Sequence, residues 1–188
     1  LMDKYELQQY VSTRQIAFRT TTTTVAKPKA IVLFGDADFS MDSLQLVNDK
    51  GVESSMSGSQ IVTRGEGGGA WLGLPGTADE VAAIGKLFDQ NKISSKLYLK
   101  ASATEKNLKS LSGHSPSVLH IATHGFYIPE TRSESDNVYK VAQDPLLRNG
   151  LVLAGGNYVW SGKEPIEGIE DGIITAYEIA QMDLSQTQ

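Results

Sequence analysis

An unbroken apolar run, Ala30-Ile31-Val32-Leu33-Phe34, and a second, mainly apolar one, Val118-Leu119-His120-Ile121-Ala122-Thr123, constrain the fold of this chain more than any other feature. A strand with one wet face alternates apolar and polar residues, so a run without alternation must be covered on both faces, as in the middle of a parallel sheet. Gly35-Asp36 stops the first run and His124-Gly125 ends the second. Between them lie the elements that parallel strands need for their crossovers. Thr77 and Glu80 read as a capping box, with Val81, Ile84 and Phe88 on one face of a helix that ends near Asn91. Lys96-Leu97-Tyr98-Leu99-Lys100 reads as a strand, and Thr104 opens a short helix with Leu108 and Leu111 inward. Strand, helix, strand, helix, strand in this order predicts an α/β fold with a mainly parallel sheet, flanked by helices joined through right-handed crossovers.

The remaining segments are less regular. Residues 1–29, with short β-prone stretches and five consecutive threonines, read as a β-rich N-terminal extension of the same domain. Residues 39–73 are polar and glycine-rich and read as a long flexible loop. Leu151-Val152-Leu153-Ala154, Gly155-Gly156-Asn157 and Tyr158-Val159-Trp160 read as a β-hairpin insertion, and Thr175 with Glu178 as a second capping box. With 188 residues the expectation is one domain over 1–188.

Composition removes several function classes. A net charge of -5 supplies no basic field, so no nucleic-acid partner is expected. No apolar run approaches the ~20 residues of a membrane span, so no membrane partner is expected and a cytoplasmic protein is the default. With no cysteine there is no disulfide, no thiolate metal site and no cysteine nucleophile within these residues.

His124 is the leading candidate for chemistry, because ligands gather at the carboxyl ends of the strands in open parallel sheets. Gly125 leaves the backbone free to approach a substrate and could offer its N–H to a developing oxyanion. A hydrogen-bonded structural histidine is the competing reading. His114, His120 and His124 could in principle bind zinc, but His120 reads as a core histidine and His114 as a loop residue, so no metal and no cofactor are expected. Asp36 and Asp38, with Glu170 and Asp171, could form the acidic cluster of a magnesium-dependent phosphoryl-transfer enzyme; turn residues that end a strand are the plainer reading. Asp171 and Phe126 are weaker candidates for substrate contact. Trp71 and Trp160 are packing anchors or pocket walls. Gly65 to Ala70 brushes against a dinucleotide fingerprint but lacks the following helix.

Four segments in order, Leu74 to Val81, Val118 to Phe126, Gly150 to Gly156 and Glu170 to Ile179, resemble the successive motifs of the CHAT domain family. The resemblance covers most of residues 30–184. It implies a caspase-like three-layer fold and, in active members, a His-Cys dyad that hydrolyses peptide bonds. His124 falls on the histidine position and Gly125 on the oxyanion-hole position. The family's nucleophile lies at the end of the strand after the helix opened by Thr175, so the resemblance implies that the catalytic cysteine is expected beyond Gln188 and that this chain by itself is inactive. It also implies a peptide or protein substrate and neighbouring tetratricopeptide repeats, usually in a bacterial protein. A non-catalytic interaction module with the same fold is the alternative.

Overall fold

The structure, a computed structural model, describes residues 27–41, 69–129 and 144–187. Strand β1 (Ala30–Ala37) is the centre of a three-stranded parallel sheet. It pairs with β2 (Ser94–Lys100) on one side and β3 (Val118–Ile121) on the other. The pleat of β1 divides its side chains between two layers. Ile31 and Leu33 pack with Val81 of helix α1 (Gly76–Gln90), with Ile84 and Phe88 around them. Val32 and Phe34 face the larger core, which holds Phe39, Tyr98, Leu108, Phe126, Val152 and Ile173. Ile31, Leu33 and Phe34 are at most 1% exposed, and burial at that level contributes about 1.5–3 kcal/mol for each. The unbroken apolar run is thus explained by cover on both faces.

A second, antiparallel sheet follows, in the order β4 (His124–Tyr127), β5 (Asn149–Val152) and β6 (Ile173–Thr175). Among the described residues the other α-helices are α2 (Glu105–Lys109), α3 (Asn157–Trp160) and α4 (Ala176–Gln181). Helix α4 opens with the expected capping box: the Thr175 hydroxyl accepts from the Glu178 N–H, and the Glu178 carboxylate accepts from the Thr175 N–H.

Several local expectations are corrected. The run Val118 to Thr123 is not one strand covered on both faces. All four residues of β3 are half-buried, the strand ends at Ile121, and the chain steps at Ala122 and Thr123 into the second sheet. The step is tied on both sides, because the Ala122 N–H donates to Phe34 and the Thr123 hydroxyl donates to the Val152 carbonyl. Tyr158-Val159-Trp160 is helix α3 and not a hairpin arm; the strand that pairs with β5 on this side is β4. Thr77 does not cap α1, since Pro75 occupies that position. Its hydroxyl donates to the Leu74 carbonyl and accepts from the Asp36 N–H, both at 2.7 Å, and so fastens the helix start to the end of β1. The stretch expected as a loop over 39–73 begins inside the core, where Phe39 and Met41 are 2% and 4% exposed. Residues 42–68 of that loop, and the N-terminal extension up to residue 26, lie outside the described residues.

Candidate functional site

The step between the sheets makes His124 the first residue of β4, opposite Val152. Its imidazole lies between two aromatic rings, Phe39 at 5.1 Å and Trp71 at 5.0 Å between centroids, both tilted. Its Nε2 is 2.8 Å from the Leu72 carbonyl oxygen. A carbonyl can only accept, so Nε2 carries the proton, and in the neutral ring Nδ1 is the basic nitrogen. The ring therefore has a defined tautomer and a defined orientation.

Its walls are held in turn. The Asn157 side chain pairs with both backbone polar groups of Trp71: the Trp71 N–H donates to Oδ1 at 2.6 Å and Nδ2 donates to the Trp71 carbonyl at 2.9 Å. The Asn157 backbone N–H donates to the Phe39 carbonyl at 3.0 Å. Trp160, one helical turn after Asn157, lies with its ring tilted against Trp71 at 4.9 Å and against Phe126 at 5.2 Å between centroids. Trp71 is thus a wall of the imidazole, and Trp160 backs Trp71. Phe126, weighed as a substrate contact, is 8% exposed and supports Trp160 from the core.

Gly125 is exposed and opposite Leu151. Its φ is not positive, and an added Cβ would meet only the Gly150 carbonyl at 3.6 Å and a Leu151 methyl at 3.8 Å, both ordinary contacts. Neither backbone conformation nor crowding among the described residues calls for glycine here. The missing side chain leaves open ground beside His124.

A family model of the CHAT domain matches residues 1–188. The chain belongs to the CHAT domain family. That family places it among caspase-like, peptidase-related domains. No curated protein and no solved structure matched it.

The other candidates of this CHAT domain occupy separate places. His120 is not a core histidine: its side chain is 32% exposed and its Nε2 lies 2.9 Å from Glu80 on α1. His114 is exposed in the turn after α2, and His120 and His124 belong to different sheets. Among the described residues no group of three His, Asp or Glu side chains is arranged to hold a metal ion. Asp36 and Asp38 are committed locally. Asp36, at φ 48°, pairs with Lys100 at 2.8 Å, and Asp38 Oδ1 accepts from the Ser40 N–H. Among the described residues no helix is long and apolar enough to cross a membrane.

Asp171 belongs to a second constellation, around Lys109. The Lys109 ammonium lies 2.7 Å from Glu105, 2.7 Å from Glu170 and 2.8 Å from Glu178. Glu105, Glu170, Asp171 and Glu178, with Leu147 and Ile169, line a cavity of about 360 Å³. Glu105 is 2% exposed, and its carboxylate accepts the Gly172 N–H at 2.9 Å. Burial pushes its carboxyl up to about 8; Lys109 pulls against this, and Asp171 and Glu170 add to the rise. Burial opposes the charge of Lys109, but the hydrogen bonds its ammonium donates to three carboxyl groups hold its pKa above the ordinary lysine value. Burial also works against Glu178, and Lys109 and Thr175 overcome it, so that carboxyl lies below its ordinary value.

Gly172 joins the two constellations. At φ 80° an added Cβ would come within 2.6 Å of both the Ala154 carbonyl and the Gly156 N, which are backbone atoms that cannot step aside. Only glycine lets the segment held by Glu105 press against the turn that leads into Asn157.

Three parts of the His124 surroundings have no counterpart in the sequence reading: the Leu72 carbonyl, the Asn157 amide and the Phe39 ring. A backbone carbonyl leaves no trace in composition. Asn157 follows two glycines and has the local pattern of a turn residue, and Phe39 stands at the edge of a polar stretch.

Proposed function

We propose that this CHAT domain is the histidine-bearing part of a cysteine endopeptidase, with His124 as general acid and base and the Gly125 N–H as an oxyanion donor. The observation that carries the reading is the bond from His124 Nε2–H to the Leu72 carbonyl, which leaves Nδ1 as the free basic nitrogen. The nucleophile is a cysteine on the strand that follows α4, beyond Gln188, and this chain by itself is inactive.

The chemistry would run in two halves. Nδ1 takes the thiol proton, and the thiolate forms a C–S bond to the peptide carbonyl while the carbonyl electrons move onto oxygen, stabilised by fixed N–H donors. Collapse breaks the C–N bond as the imidazolium protonates the leaving amine. Water then attacks the thioester with its proton passing to His124, and the carboxylic product leaves with the thiolate restored. The substrate is a peptide segment of a protein, and we place the domain beside tetratricopeptide repeats in a bacterial cytoplasmic protein.

The absence of cysteine from these 188 residues favours a second reading, an interaction module that keeps the fold and holds a peptide without cleaving it. One experiment separates them. The full-length protein is treated with a thiol-alkylating peptide probe, and peptide cleavage is followed with and without His124→Ala. Cleavage that the probe blocks and His124→Ala abolishes supports the dyad; a full-length protein with no cysteine after residue 188 overturns it.

A further inference from the structure

We propose that Asn157 is a positioning residue for His124, because its side-chain amide and its backbone together hold both walls of the imidazole and, through Trp71, the adjoining residue whose carbonyl fixes the ring. The inference deepens the dyad reading and rests on it for its importance to function. The Trp71 N–H bond to Oδ1 and the Nδ2 bond to the Trp71 carbonyl form a two-point clamp, the kind of contact that fixes direction as well as distance. The clamp also fixes which way the amide faces, since Trp71 N can only donate and its carbonyl can only accept. Nδ2 reaches the Ser40 hydroxyl at 3.0 Å as well, and the Asn157 N–H holds the Phe39 carbonyl. Phe39 and Trp71 are the two rings around His124, and Leu72, the next residue after Trp71, supplies the carbonyl on Nε2. One residue thus connects two chain segments, 39–40 and 71–72, that share no strand pairing among the described residues.

The helical form of 157–160 is what makes this possible. In a strand, Asn157 and the ring of Trp160 would lie on opposite faces, whereas at i and i+3 on a helix they meet the same neighbour. Trp71 is accordingly gripped through its backbone by Asn157 and through its ring by Trp160.

The test reads His124 directly, on the full-length protein with ¹⁵N-labelled histidine and no substrate. In the wild type the Nε2-bound proton of His124 is expected as a separate resonance that exchanges slowly with water. In Asn157→Ala that exchange speeds up at least about tenfold, the loss expected when a two-point hydrogen-bonded clamp is removed. Asn157→Asp keeps the acceptor for the Trp71 N–H but sets an oxygen against the Trp71 carbonyl, and the same acceleration is expected. It also serves as the variant of nearly unchanged shape if the alanine form does not fold. The His120 ring, bonded to Glu80, is the internal control and should not change. An unchanged His124 exchange rate in a folded variant overturns the proposal, as does a wild-type His124 with its proton on Nδ1. Since no cleavage is measured, failure of the dyad reading leaves this outcome intact and the two are separable.

Discussion

The surroundings of His124 and those of Lys109 hold their central side chains by opposite means. His124 is set by two aromatic rings and a backbone carbonyl, with no formal charge among these contacts. Lys109 is set by three carboxyl groups within 2.8 Å, one of them almost wholly buried. Neutral, rigid contacts fix the imidazole without adding a partner that would compete for its second nitrogen. The ionic cluster does the reverse: it commits its ammonium fully and ties α2 to α4 and to the segment before β6. The first arrangement suits a group that must exchange a proton, and the second suits a brace.

The comparison can be broken at several points, and the expected effects fall from the aromatic side to the surface. Phe39→Ala removes a ring that is both core and wall, and should cost about 3–4 kcal/mol in chemical denaturation, with little dependence on salt. Lys109→Met leaves the carboxylates without their cation and should cost about 2–3 kcal/mol, more at pH 9 than at pH 6, since Glu105 is charged only in the higher range. A loss equal at both pH values would mean that packing, and not charge, is what Lys109 supplies.

Glu105→Gln tests the same cluster through its pH dependence. Glu105 binds its proton more tightly folded, at about 8, than at its ordinary 4.5, so its contribution is fully present below 4.5 and is lost as the pH rises through about 8. The wild type should therefore show a component of declining stability between these limits that Glu105→Gln lacks. Glu178 works in the other direction: its lowered pKa makes its contribution present above the ordinary value and lost as the pH falls. Parallel stability curves for wild type and Glu105→Gln over pH 5 to 8 would contradict the assignment to Glu105. The smallest effect belongs to His120→Ala, which breaks a half-exposed pair with Glu80 and should cost no more than about 0.5 kcal/mol.

What was legible in the sequence follows from the range over which each feature acts. The run from Ala30 to Phe34 identifies the central strand because burial on both faces is written into every residue of it. The Thr175–Glu178 capping box is contained in four residues and appears as read. Thr77 shows the same local pattern, yet its hydroxyl is engaged by Asp36, 41 positions away, and Glu80 by His120. Val118 to Thr123 looks like one strand because apolar composition does not record where a chain leaves one sheet for another. Tyr158-Val159-Trp160 carries β-prone residues, but the contacts of Asn157 and Trp160 with Trp71 hold it as a helical turn. His124 itself was visible; the Leu72 carbonyl that orients it and the Asn157 amide that holds the neighbouring Trp71 were not, since both are contacts across about 50 to 90 residues.

The most direct test of the central claim is peptide cleavage by the full-length protein compared with its His124→Ala form, with the fold of both checked by circular dichroism. The dyad predicts cleavage by the wild type, sensitive to thiol alkylation, and its loss in the variant at unchanged fold. Cleavage that survives His124→Ala would contradict it.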